Sequence, residues 1–150
     1  MRSLRDPSST CAPRILGRYH VDYVIGHWRA LYREGYHQAE PRDAVGWAER
    51  GHAWVLADVP LDMLDFQTAA EAGAGRVQLA WEYAQRRTPL PPGVALYGRQ
   101  SARRRTGKAY VADGNHRVLA AAMRLDCSAR VFMQKDEYAQ LVEDAERRMW

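Results

Sequence analysis

The chain has 150 residues, 47% of them hydrophobic and 27% charged, which suits one soluble domain or one domain with an extension. No apolar run approaches the roughly 18 residues that a membrane helix needs, and the N-terminus lacks the apolar segment of a secretory signal, so we expect no membrane association. The formal net charge is +4 and the pI is about 9.3. This slightly basic charge favours polyanionic partners but identifies none by itself.

The two cysteines, Cys11 and Cys127, lie far apart in the sequence. Their spacing is not that of a metal-binding pair, and nothing in the sequence indicates a disulfide framework. We therefore expect a cytoplasmic protein in which both thiols are reduced.

The first 51 residues are predicted to form a helical N-terminal extension. Residues 1–13 are rich in Pro, Ser and Thr and are typical of a loose arm. Apolar side chains recur at spacings of three and four across residues 15–33, which predicts an amphipathic helix, and a second short helix is predicted at 42–50. We expect this extension to be the surface for any homodimer or protein-partner contact.

Residues 52–150 are predicted to form an α+β domain with a small mixed sheet. The strands at 94–99 and 108–113 are expected to pair as a hairpin, and residues 108–134 are expected to form a right-handed βαβ crossover. A further strand is predicted from residue 53, and Pro60 limits its length. A helix is predicted from Arg76 onward, and another at 116–125 with Leu125 on its apolar face. A strand at 129–134 and a closing helix with Asp136 as N-cap complete the predicted domain.

The main candidate binding site is a turn between a predicted strand and a predicted helix, at Gly114, Asn115, His116 and Arg117. Backbone N–H groups at a helix start attract anions, glycine permits close approach, and arginine grips phosphate with two parallel hydrogen bonds. The sequence thus predicts a phosphate site. In the alternative, Asp113 caps the helix, Gly114 makes the turn, and the two cations lie on a solvated face.

Asp113 is a candidate for three roles. A carboxylate beside a phosphate is repelled by it unless a Mg²⁺ ion bridges the two groups. Asp113 could otherwise act as a general base for a hydroxyl or a water, and we name Asp113 and His116 as the candidate catalytic residues. As a helix cap it would need neither role.

The stretch "KAYVADGNHRVLAAAMRLDCSARVFMQ", with "VPLDML" at 59–64 upstream, resembles the ParB/sulfiredoxin superfamily over roughly residues 52–135. The resemblance implies a nucleotide-binding domain, since members bind CTP or ATP and some have been described as nucleases or serine kinases. It also implies that residues 114–117 hold phosphates and that Asp113 lies next to the reacting group.

The sequence departs from the family pattern at two points, and each departure argues against one activity of the family. Asn115 occupies the position of the sulfiredoxin catalytic cysteine, and an amide cannot supply that chemistry. After "SARVFM" there is room for one helix only, so we expect no helix-turn-helix DNA reader of the ParB kind.

A basic loop precedes the second strand of the predicted hairpin. It could follow a nucleic-acid backbone, fold over nucleotide phosphates, or remain solvated. Its cations are Arg99, Arg103, Arg104, Arg105 and Lys108.

Three functions remain open from the sequence. The first is nucleotide binding with hydrolysis or phosphoryl transfer. The second is action on DNA, as a nuclease or a non-specific binder, through the basic loop. The third is a non-enzymatic interaction protein that keeps the fold without the chemistry.

Overall fold

The computed structural model describes residues 11–33, 46–67, 73–86, 89–98 and 107–148. Its strands are β1 (Arg14–His20), β2 (Ala53–Pro60), β3 (Leu64–Asp65), β4 (Gly93–Leu96), β5 (Ala109–Asp113) and β6 (Ser128–Gln134). Its helices are α1 (Val21–Arg33), α2 (Ala74–Ala84), α3 (Asn115–Met123) and α4 (Lys135–Arg148), with a 3₁₀ turn at Leu61–Met63 and a helical segment at 46–49.

The six strands form one mixed sheet in the order β1-β2-β6-β4-β5-β3. The pairs β1–β2, β2–β6 and β4–β5 are antiparallel, whereas β6–β4 and β5–β3 are parallel. The α+β class and the mixed sheet are therefore confirmed. The closer ParB/sulfiredoxin-like fold stays a prediction.

Both faces of the sheet are covered because side chains alternate along the central strands. Val55 and Val131 point into the larger core, which α3 and α4 close with Val118 and Leu141. Trp54, Phe132 and Val94 point into a smaller core on the opposite face, which α1 and the 46–49 segment close. The smaller-core residues supplied by those two elements are Val21, Val24, Trp28 and Trp47.

The predicted helix at 15–33 is wrong in its first part, because Arg14–His20 form β1. This strand pairs with β2 from Arg14 opposite Asp58 to His20 opposite Ala53, and the pairing satisfies backbone groups that a helix would satisfy internally. The predicted helical extension thus contains an edge strand of the main sheet. Residues on both sides of the expected boundary at 51/52 share one sheet and one core.

The predicted βαβ crossover is also wrong. The hairpin of β4 and β5 is confirmed, but it places β4 between β5 and β6, so β5 and β6 run antiparallel and are not neighbours. The parallel neighbours are β4 and β6, and both β5 and α3 lie in the connection between them.

Two local expectations near the C-terminus fail for physical reasons. Gln134, not Asp136, caps α4, because its side-chain amide oxygen accepts the backbone N–H groups of Asp136 and Glu137 at 2.9 and 3.0 Å. Leu125 is exposed and has φ +63°, since the chain leaves α3 just before it. None of the helices in the described ranges is long and apolar enough to cross a membrane.

Candidate functional site

The join between β5 and α3 depends on two glycines that approach each other closely. Gly114 is the N-cap of α3 and has φ +90°, a left-handed conformation that side-chain-bearing residues rarely adopt. A Cβ atom at Gly114 would lie 2.9 Å from the Cα atom of Gly93, and one at Gly93 would collide with the carbonyl oxygen of Asp113. The glycine signal at this turn therefore reflects tight backbone packing between β4 and β5.

Arg117 is held inside the protein by an ion pair and two carbonyl groups. Its Nη2 atom lies 3.1 Å from Oδ2 of Asp113, and both side chains are only 3% exposed. Its Nη1 atom donates to the carbonyl oxygens of Pro91 and Pro92, at 3.1 and 2.7 Å. Arg117 thus joins α3 to the end of β5 and to the proline segment before β4.

This geometry overturns part of the alternative in which the turn is a simple capped helix start. The N-cap residue of α3 is Gly114, which makes the turn at φ +90° and has no side chain to cap with, so Asp113 does not occupy the N-cap position. His116 and Arg117 do not lie on a solvated face, because both side chains are buried. Burial of a charged arginine requires a counter-charge, and Asp113 supplies it.

Asn115 also has a structural position. Its Nδ2 atom donates to the carbonyl oxygen of Val111 at 3.0 Å, and its Oδ1 atom accepts the backbone N–H of Gln67 at 3.1 Å. The amide therefore links β5 to the segment that follows β3. An aspartate or a cysteine could not make both bonds, since neither offers an N–H donor together with a carbonyl acceptor.

The surroundings of Asp113 do not fit a magnesium site. Its carboxylate faces the guanidinium of Arg117 and is shielded from solvent, whereas Mg²⁺ in proteins usually keeps several waters. Within the part of the chain that the structure describes, no three His, Cys, Asp or Glu side chains are grouped as metal ligands. We therefore assign no step to a metal at Asp113.

A cavity of about 330 Å³ lies beside this turn. One wall is the face of α3 that carries Arg117, Val118, Ala121 and Arg124, at helical spacings of three and four. The segment at residues 89–91 and the first part of β6 also line it. Because β4 begins opposite Val131, the first three residues of β6 extend past it and leave this space open.

Three arginines and two aspartates contribute to the cavity lining. Arg117 enters from α3. Arg130 is half exposed, and its Nε atom lies 3.3 Å from Oδ1 of Asp58, a carboxylate that also pairs with Arg14 at 3.0 Å. Arg124 donates to the carbonyl oxygens of Tyr83, Ala84 and Arg86 at the C-terminal end of α2.

The structure brings only part of the predicted site to this cavity. Of Gly114, Asn115, His116 and Arg117, Arg117 alone lines it. Sequence reasoning missed Arg124 and Arg130. The spacing of Arg117, Ala121 and Arg124 could have indicated a shared helix face, but no local signal brings Arg130 next to them.

Most of the predicted basic loop, Arg99 and Arg103–Arg105, lies outside the described residues. Lys108 is described and is partly buried just before β5. The DNA-binding role of these five cations stays a prediction, which the salt dependence of DNA binding would test.

Comparisons of the chain with protein-family models, with curated proteins and with solved structures found no match. The ParB/sulfiredoxin resemblance therefore rests on the motif residues alone.

Proposed function

We propose that the protein binds a nucleotide, or a closely related phosphorylated small molecule, in the cavity along α3. The observation that carries this proposal is that three arginines, Arg117, Arg124 and Arg130, line one cavity. Guanidinium groups form charge-assisted, often paired hydrogen bonds with phosphate oxygens. The nucleotide is the ligand class that the resemblance implies, and ATP and CTP are its first candidates.

The shape and the other walls of the cavity support a ligand with one charged and one apolar part. Its volume of about 330 Å³ is at the lower end of the range for small-molecule sites. Leu90, Val118 and Ala121 contribute apolar lining, and Arg130 and Asp58 contribute charged lining. Phosphates would lie toward Arg130, whose side chain is half exposed, because the buried Arg117 is already bound to Asp113 and two carbonyl oxygens. A base or another apolar group would lie toward Leu90.

Binding is the part of the function that the geometry supports best. Hydrolysis or phosphoryl transfer is a further proposal that rests on the resemblance, with Asp113 and His116 as the candidate catalytic residues. In the described conformation Asp113 orients Arg117, so a role as a base would require this ion pair to open. A turnover assay on any nucleotide that binds tests this second proposal.

The binding proposal is tested with a matched pair of arginine variants. Arg130 and Arg14 both pair with Asp58 and are 50% and 69% exposed, but only Arg130 lines the cavity. We expect one of ATP, ADP, CTP or GTP to raise the melting temperature of the wild type, since a ligand that binds only the folded state stabilises it. Each nucleotide is measured with and without Mg²⁺.

Arg130→Ala should weaken binding of that nucleotide roughly 10- to 100-fold, because one charged hydrogen bond contributes about 1.5–3 kcal/mol. Arg14→Ala should leave the affinity unchanged. Equal losses in both variants would assign the effect to Asp58 and the sheet instead of the cavity. A flat response of the wild type at millimolar nucleotide would contradict the proposal.

A further inference from the structure

The two cysteines, remote in sequence, come to the same end of β2. β1 and β6 flank β2 on opposite sides, and both run antiparallel to it. β1 begins at Arg14, opposite Asp58, so Cys11, three residues before Arg14, lies near the end of β2. On the other side the backbone N–H of Leu61 donates to the carbonyl oxygen of Cys127 at 3.0 Å.

Their side chains also meet. The thiol of Cys11 hydrogen-bonds to the side chains of Cys127 and Ser128. Cys127 is exposed, whereas Cys11 is partly buried, so a reagent can reach the pair from the side of Cys127. Residues 11–13 precede β1 and belong to no strand or helix, so no ladder of backbone hydrogen bonds fixes Cys11.

From this contact we infer that Cys11 and Cys127 form a reversible dithiol–disulfide site, oxidised by a low-molecular-weight disulfide such as oxidised glutathione. The thiolate of Cys127 attacks one sulfur of the reagent, forms a mixed disulfide, and releases one glutathione thiolate. The thiolate of Cys11 then attacks the Cys127 sulfur and releases the second glutathione. The two cysteines lose two protons and two electrons, and the reagent's disulfide takes up both electrons.

The order of the two steps follows from the environments of the thiols. Burial raises the pKa of Cys11 to about 11, and the hydrogen bond with Cys127 acts in the same direction. The reagent reaches the exposed Cys127 from solvent, whereas the raised pKa keeps the Cys11 thiol protonated at neutral pH, so Cys127 reacts first and Cys11 acts as the resolving thiol. Closure of the disulfide should therefore become faster as the pH rises from 7 toward 9.

The disulfide would connect the segment before β1 to the start of β6. Because it closes a long loop in the unfolded chain, it should raise the melting temperature by roughly 5–15 °C. This inference does not depend on nucleotide binding, although Cys127 lines the cavity and places the oxidised pair at its edge.

The test uses the full chain incubated with excess oxidised glutathione and then with dithiothreitol. We expect the intact mass to fall by two hydrogens, with no glutathione retained, and a peptide map to link Cys11 to Cys127. Dithiothreitol should restore the original mass and melting temperature. Cys11→Ser should instead retain one glutathione on Cys127 and show no rise in melting temperature.

Wild-type protein that retains glutathione on one or both cysteines, without an internal link, would overturn the inference. Disulfide-linked dimers as the main product would overturn it too. Cys127→Ser serves as the second control, because it removes the exposed thiol and should stop both steps while leaving the fold intact.

Discussion

At the residue scale, the buried ion pair of Arg117 and Asp113 determines how the turn between β5 and α3 is interpreted. Both side chains are shielded from solvent, and Arg117 also binds two proline carbonyls. Replacement of Asp113 by Asn keeps the shape and removes the carboxylate charge that faces the guanidinium. We expect Asp113→Asn to lower the free energy of unfolding by about 3 kcal/mol, measured by urea denaturation.

The control for this variant is Asp62→Asn, which changes an exposed carboxylate in the 3₁₀ turn and should alter stability by less than about 0.5 kcal/mol. If Asp113→Asn is as stable as the wild type but loses turnover of a bound nucleotide, Asp113 is a catalytic residue and its structural assignment is wrong. The same pair of measurements therefore separates the two roles.

At the element scale, the start of α3 is fixed by backbone contact between β4 and β5. Gly114→Ala would add a Cβ atom to a residue at φ +90°, 2.9 Å from the Cα atom of Gly93. We expect a loss of about 2 kcal/mol or more in the free energy of unfolding, because both the left-handed conformation and the contact are unfavourable. Urea denaturation again provides the measurement.

Gly26→Ala is the matched glycine variant for this prediction. Gly26 lies within α1, and a Cβ atom there meets nothing within 4 Å. Alanine favours a helix over glycine by roughly 1 kcal/mol, so this variant should be slightly more stable than the wild type. Similar small effects in both variants would show that the join tolerates side chains and that close approach does not require Gly114.

Elements with a strong local signal were predicted from the sequence, whereas strand pairing was not. The β4–β5 hairpin, β6, α2 and α4 follow from periodicity and turn residues. β1 falls inside the helix predicted at 15–33, although the apolar residues that carry the helical spacing run from Val21 to Tyr32, within α1. Its strand state depends on β2, more than 30 residues away. The order β6-β4-β5 is equally non-local, since β4 inserts between two strands that are consecutive in the chain.

At the scale of the whole molecule, the sequence likewise predicts the local part of the candidate site but not the contacts between residues that are distant in the chain. The turn at Gly114 was found from its residue types, but a sequence pattern does not reveal that Arg117 faces inward. The cavity combines α3, β6, β2 and the proline segment at 89–91. Arg130 is an ordinary exposed residue of an alternating strand, and only the fold brings it to the same cavity as Arg117.

The composition of the smaller core leads to a prediction about the stability of a truncated chain. A fragment of residues 52–150 would keep β2–β6 and lose the edge strand β1, together with α1 and the 46–49 segment, which cover one face of the sheet. Trp54, Val94 and Phe132 would then be exposed as one apolar patch, and β2 would become an open edge.

We expect the 52–150 fragment to unfold without a cooperative transition, to bind the dye ANS and to aggregate, whereas the full chain should show a cooperative transition and do neither. Near-ultraviolet circular dichroism and urea denaturation distinguish the two results. The tryptophans make the readout direct, because Trp54 lies in the smaller core and its ring loses its packed surroundings when α1 is removed. A cooperative transition in the 52–150 fragment, with its near-ultraviolet spectrum retained, would show that the boundary at residue 52 marks an independent domain. The smaller core would then be a docking contact between an extension and a self-sufficient domain, and residues 11–51 would become the first place to look for exchange with a partner protein.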